Sequence, residues 1–199
     1  EKVNYLLITG QMKYDSSEYA TLKEKIQMAG YAVILVAEAA QIQIANRLLW
    51  ECRNVTADAR ILEVGIGSGM IAMQLAPCCK TYSGRDISKI VLDKLDGMAK
   101  ERKMNNLRLY PYAADEIYHI QEKFDIILMS SVTEYFSGYN YLRKVIERCI
   151  EQIDGKGVIL FADIFDLDKK DSYRQSVYQY AKAHPGVRYK RDFSHELFI

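Results

Sequence analysis

The residues Glu63-Val64-Gly65-Ile66-Gly67-Ser68-Gly69 place three glycines at alternate positions. They follow an apolar, β-prone run, Ile61–Val64, and precede an apolar helical stretch from Met70 to Ala76. Glycines so spaced let the chain turn tightly and let a ligand approach the backbone where a Cβ would collide. In a dinucleotide site the spacing is G-x-G-x-x-G, and backbone N–H groups with a helix N-terminus address a pyrophosphate. Here the spacing is G-x-G-x-G, and an acid, Glu63, stands two residues before the first glycine. A carboxylate there repels a pyrophosphate and suits a ligand that carries positive charge. A glycine turn taken alone is also compatible with a mere tight turn.

Three further groups fall at strand ends. Asp86 ends the next strand, where an acid in a nucleotide-binding α/β sheet accepts from ribose hydroxyls; the alternative is that it only caps the following helix. Ala114-Asp115-Glu116 follows the third core strand, where an acid can accept from an adenine amino group or simply favour a helix N-terminus. Ser130-Ser131 closes the fourth. Ligands of open α/β sheets bind outside the carboxyl ends of the strands, and all four groups lie there. The amino group and sulfonium of S-adenosylmethionine fit such a ligand.

The elements that must position these groups alternate. Strands are expected at Ile61–Val64, Thr81–Gly84, Leu107–Tyr110, Phe124–Met129 and Val158–Ala162. Helices are expected at Met70–Ala76, stopped by Pro77, from Ser88 as cap to about Lys103, at Tyr139–Ile153 and at Ser172–Ala183. Val187–Phe193 reads as a last strand. Upstream, Val3–Thr9 and Tyr31–Val36 read as strands, and Tyr19–Met28 and Glu38–Cys52 as helices. Strands separated by helices imply a Rossmann-like, mostly parallel sheet with helices on both faces, plus a small N-terminal α/β appendage. The division expected is 1–57 for the appendage and lead-in helix and 58–199 for the core.

The chain has 199 residues, with Lys plus Arg 27 against Asp plus Glu 26 and a net charge of +1. That balance gives no global electrostatic case for a nucleic-acid partner. No apolar run reaches the roughly 18 residues of a membrane span. The cysteines, Cys52, Cys78, Cys79 and Cys149, match no zinc spacing and read as reduced thiols of a cytoplasmic protein. Without an initiator Met, the chain is expected to be a piece of a longer protein.

Taken in order, these residues resemble the class I S-adenosylmethionine-dependent methyltransferases over Arg60–Asp163. The pieces that carry the resemblance are Ile61–Gly69, Gly84–Ser88 and Phe124–Val132. Leu75-Ala76-Pro77, Tyr82–Ser88, Ser131–Phe136 and the terminal Glu196–Ile199 look like the methyltransferase domains embedded in nonribosomal peptide and polyketide synthetases. The resemblance implies that Glu63, Gly65 and Gly67 hold the methionine moiety. It implies that Asp86 and Ile87 hold ribose and adenine, that Ala114, Asp115 and Glu116 meet the adenine edge, and that Ser130 and Ser131 line the cofactor near the methyl. The acceptor implied is a small or carrier-tethered intermediate, methylated on nitrogen or carbon.

Methyl transfer asks the protein to hold acceptor and methyl in line and to exclude water. A base is needed only if the acceptor must lose a proton. Glu134 and Tyr135 follow the fourth strand and are the candidates for acceptor contact, Tyr135-Phe136 as a loop anchor being the alternative. His119 reads as a surface residue, His184 as a helix-end residue, and His195-Glu196 as a pair whose adjacency in a strand points them to opposite faces. Tyr110, Tyr112, Tyr118, Tyr135, Tyr139 and Tyr141 line a pocket or occupy half-buried amphipathic positions. An NAD-dependent oxidoreductase would need G-x-G-x-x-G; a non-catalytic relative would show a damaged turn or a lost acid.

Overall fold

Side chains along a strand alternate between faces, and along β3 (Arg60–Val64) both faces are apolar. Ile61 packs in one core and Leu62 with Val64 in the other. The neighbouring β6 (Phe124–Ser130) is likewise buried on both faces, as a central strand of a parallel sheet must be. The structure, a computed structural model, describes residues 4–10, 31–36, 55–183 and 196–199, with side chains for the last two spans. Helices expected at Tyr19–Met28 and Glu38–Cys52, the strand expected at Val187–Phe193, and Cys52, His184 and His195 lie outside the described residues.

The described strands form one 7-stranded sheet in the order β2-β1-β7-β6-β3-β4-β5, with every neighbouring pair parallel. The others are β1 (Asn4–Gly10), β2 (Tyr31–Val36), β4 (Thr81–Arg85), β5 (Leu107–Tyr110) and β7 (Ile153–Ile164). The strands β1 and β2 therefore extend the sheet at its β7 edge, with Leu6 opposite Ile159 on one side and Val33 on the other.

Helices cover both faces. On one lie α1 (Ala72–Leu75) and α2 (Lys89–Glu101), which bury Ala72, Leu75, Leu92 and Leu95 against Ile61, Ile126 and Leu128. On the other lies α3 (Tyr139–Gln152), whose Leu142, Val145 and Cys149 pack on Leu62, Ile127 and Met129. A last helix, α4 (Lys170–Ala183), contributes no buried residue. Between β5 and β6 the chain returns across the sheet. This makes the β3/β6 boundary the switch point, the place where such sheets leave a crevice at their carboxyl ends.

Two helices differ in detail from the sequence expectation. The helix after the glycine turn is four residues long and passes into a 3-10 turn, Ala76–Cys78, because Pro77 has no N–H to continue the ladder. Ser88 occupies the cap position of α2, but its side chain makes no cap bond. Asp86 instead accepts the Ser88 N–H at 2.8 Å.

At the opposite, amino ends of the strands, Arg60 joins β3 to its neighbours. Its main-chain N–H and Nε donate to Asp125 Oδ2 at 2.8 and 3.0 Å, and Nη2 to Asp125 Oδ1 at 2.9 Å and Asp154 Oδ2 at 2.6 Å. Burial opposes ionisation of Asp125, but the bonds from Arg60 outweigh it and hold the carboxyl below its ordinary range. The half-exposed setting screens the pair, so Asp125→Ala should cost about 1 kcal/mol, a fall of roughly 2–4 °C in Tm. Because the folded-state pKa is lowered, this contribution is present above the unfolded aspartate range, about 3.9. It disappears as pH falls through the folded value, so wild type and variant should converge in acid melts.

Candidate functional site

The glycine turn is fastened to the end of β4. Gly65 N–H and Ile66 N–H both donate to Arg85 O at 2.9 Å, and Gly67 N–H donates to Asp86 Oδ2 at 3.1 Å. Gly65 and Gly67 have φ of 77° and 49°, the left-handed region where a side chain is strained. Their surroundings differ. A Cβ on Gly65 would come within 2.6 Å of Val132 Cγ2, because the turn presses against the loop after β6. A Cβ on Gly67 would meet nothing nearer than Gly65 O at 4.0 Å, so its bare face opens into space.

That space is a cavity of about 530 Å3 at the carboxyl ends of β3, β4 and β6. Of the residues singled out from the sequence, Gly65, Gly67, Asp86, Ile87, Ala114, Ser131 and Tyr135 line it. Ile87 is 80% exposed, an aliphatic wall left in water. Tyr135 is 71% exposed at the rim. Both carboxylate oxygens of Asp86 hold backbone N–H groups, one on each side of the β4 end, and each keeps a further lone pair for a ligand hydroxyl.

Glu63, Asp115, Glu116, Ser130 and Glu134 do not line the cavity. The Glu63 carboxylate is buried beneath the turn, where Tyr82 Oη donates to its Oε2 at 2.6 Å. Burial raises its pKa to about 8, against the opposing effect of the Tyr82 bond. Asp115 accepts from Tyr141 Oη at 2.8 Å and Lys144 Nζ at 2.7 Å. Glu116 Oε2 accepts the Ala113 N–H at 2.8 Å, which fastens the start of the 3-10 helix Ala114–His119. Ser130 is buried as the last residue of β6. Glu134 is buried, with its carbonyl accepting Leu197 N–H at 2.8 Å. His119 is exposed and lies against Tyr118 with ring centroids 4.2 Å apart and planes tilted by 37°. Of the six tyrosines, Tyr112, Tyr135 and Tyr141 line the cavity, while Tyr110, Tyr118 and Tyr139 do not.

Sequence reasoning missed Arg85, Val132 and Asp163. Arg85 and Val132 line the cavity. Asp163, at the end of β7, accepts a hydrogen bond from the Ser131 hydroxyl, and both residues hold left-handed φ, 56° and 54°. Strain of that kind costs about 1–2 kcal/mol per residue and concentrates at functional sites. For Arg85 and Asp163 the available signal was a charged residue closing a strand, in Thr81–Arg85 as in Val158–Asp163.

Residues 62–159 match a family model described as a methyltransferase domain. The chain is 32% identical over 106 residues to a probable non-canonical nonribosomal peptide synthetase, CymA, of Salinispora arenicola, covering 53% of the chain and 1% of that protein. It is 31% identical over 125 residues to the chondramide synthase cmdD of Chondromyces crocatus, covering 62% of the chain and 3% of that protein. The chain thus spans a few hundredths of the length of these relatives. Its fold matches an S-adenosylmethionine-dependent methyltransferase from Clostridium acetobutylicum with a TM-score of 0.59 at 17% identity, over 83% of this chain and 60% of that one.

The residues present fit S-adenosylmethionine. The bare backbone at Gly67 leaves a cradle that a Cβ would fill, Asp86 keeps lone pairs of the kind hydroxyls bond to, and Ile87 supplies an exposed aliphatic wall.

Gly67→Val strains a left-handed φ of 49° and costs about 1–2 kcal/mol of stability, but the fold should persist because its Cβ meets no protein atom closer than 4.0 Å. The isopropyl group occupies the cradle, so the Kd for S-adenosylhomocysteine should rise by at least about tenfold, roughly 1.4 kcal/mol, in calorimetry. Unchanged binding by a folded variant would place the ligand elsewhere.

Glu63 makes a second prediction. Its folded-state pKa is raised, so its stabilising contribution is full below the unfolded glutamate value of about 4.3 and is lost as pH rises through about 8. Glu63→Gln lacks this titration. Relative to wild type, its Tm should therefore climb from pH 5 to pH 8; a difference that stays constant across that span would refute the assignment.

Proposed function

We propose that this chain, which carries a class I S-adenosylmethionine-dependent methyltransferase domain over residues 62–159, methylates a nitrogen or carbon of a carrier-tethered biosynthetic intermediate. The observation that carries the acceptor class is the likeness to synthetases over 106 and 125 residues of the chain. The exposed Tyr135 at the cavity rim supports it, because a tethered arm enters from solvent and needs an open side.

When bound, S-adenosylmethionine supplies an electrophilic methyl group on a positively charged sulfur. The chain's part is to hold and to exclude. Gly65 and Gly67 present bare backbone to the methionine moiety, Asp86 takes the ribose, and Ile87 with Ala114 flanks the adenine. Asp115 and Glu116 act from behind this edge, by fixing the turn that carries Ala114. Ser131 lies near the methyl with Ser130 buried behind it at the end of β6, and Val132 and Phe136 keep water out. Tyr135 meets the acceptor, and Glu134 anchors its loop from the buried side. This placing of groups supplies most of what a displacement on an activated methyl requires.

The test offers S-adenosylmethionine together with carrier-loaded aminoacyl and β-ketoacyl thioesters, and reads the acceptors by mass spectrometry. A gain of one methyl on a tethered acceptor is expected, and its fragment ions report nitrogen or carbon. Methylation confined to free small acceptors would remove the carrier reading and leave a free-standing small-molecule methyltransferase.

A further inference from the structure

Arg85 is the last residue of β4 and has no solvent exposure. In the sheet it lies beside Val64 and Tyr110, so it shares the face that α3 covers. It also lines the cavity, next to Ala114 and Tyr141. Its Nη1 makes one long bond, 3.4 Å, to Ala114 O, while Nε and Nη2 have no partner. The nearby carboxylates are engaged elsewhere: Asp115 with Tyr141 and Lys144, Glu116 with the Ala113 N–H.

A buried guanidinium with unmet donors is expensive unless something pairs with it. Burial pulls its pKa down to about 10, which leaves it charged at neutral pH. An arginine offers donors only, five N–H groups in a planar fork, and no acceptor. Whatever completes it must present an acceptor from the cavity side. Arg85 directly precedes Asp86, so the part of a bound nucleoside beyond the ribose is the part that reaches it.

We propose that Arg85 reads the nucleobase of the cofactor, its buried Nε and Nη2 donating to an acceptor nitrogen of the heteroaromatic ring. This rests on the cavity being the S-adenosylmethionine site. It makes Arg85 a specificity-determining residue: a base that presents an amino group toward the fork meets donor against donor, and the exocyclic amine of adenine turns away from it. The sulfonium end lies with the glycine turn, so the arginine charge is kept at the opposite end of the ligand.

The experiment measures calorimetric Kd values of the full chain for S-adenosylhomocysteine and its 1-deaza, 3-deaza and 7-deaza analogues, each lacking one ring acceptor. Wild type should bind one of the three at least about tenfold more weakly than the parent, the loss of a charge-assisted hydrogen bond. Arg85→Met should bind the parent with a similar loss and should no longer discriminate against that analogue. Its unliganded Tm should equal or exceed that of wild type, because an unpaired buried charge is gone. If all three analogues bind wild type within about twofold of the parent, the proposal is overturned, whatever the variant does. It is equally overturned if Arg85→Met retains the full penalty. Failure of wild type to bind S-adenosylhomocysteine at all would overturn the cofactor reading, and this proposal with it.

Discussion

The site hangs on a joint between two strands. Three successive N–H groups of the glycine turn, those of Gly65, Ile66 and Gly67, are taken by two successive residues at the end of β4, the Arg85 carbonyl and the Asp86 carboxylate. Buried backbone donors must find partners, and a turn with left-handed residues cannot supply them from its own ladder. The end of β4 supplies them instead. The same carboxylate also takes the Ser88 N–H, so one side chain ties the turn after β3 to the start of α2. Moving Asp86 would loosen both walls of the cavity at once.

Around this joint the sheet buries polar groups on both of its faces. On the α1 and α2 face, Glu63 is held by Tyr82. On the α3 face, Arg85 lies under the Ala114 turn. Polar burial costs free energy unless it is matched, and the rest of the central strands is apolar in compensation, as Ile126 to Met129 illustrate. Glu63 stands two residues before Gly65, and Arg85 accepts the Gly65 N–H with its carbonyl, which places both buried polar groups next to the turn. The left-handed pair Ser131 and Asp163 adds backbone strain at the same end. The amino ends, by contrast, are closed by matched ions, Arg60 with Asp125 and Asp154.

The family supplies chemistry already activated in the cofactor, so the protein's task is geometric. That explains why the residues lining the cavity are mostly backbone, aliphatic and aromatic. Two side chains stand apart from that lining, Tyr135 exposed at the rim and Arg85 buried at the end of β4.

Much of this was legible in the order of residues. Alternation of β-prone and helical runs after Arg60 determined the parallel sheet, and the G-x-G-x-G spacing with Asp86 one strand later determined where the crevice forms, because both signals are local and periodic. Four things were decided only by the tertiary fold. Glu63 turns to Tyr82, 19 residues on, and Asp115 to Tyr141 and Lys144, 26 and 29 residues on, since sequence spacing says which face a side chain takes but not which distant group waits there. The Ser88 side chain makes no cap bond, and the Ser88 N–H goes to Asp86, a partner placed there by the end of β4. Arg85 is a charge in sequence and is buried in the fold, because Ala114 and α3 close over the end of β4 and leave its Nε and Nη2 without a partner beside the cavity.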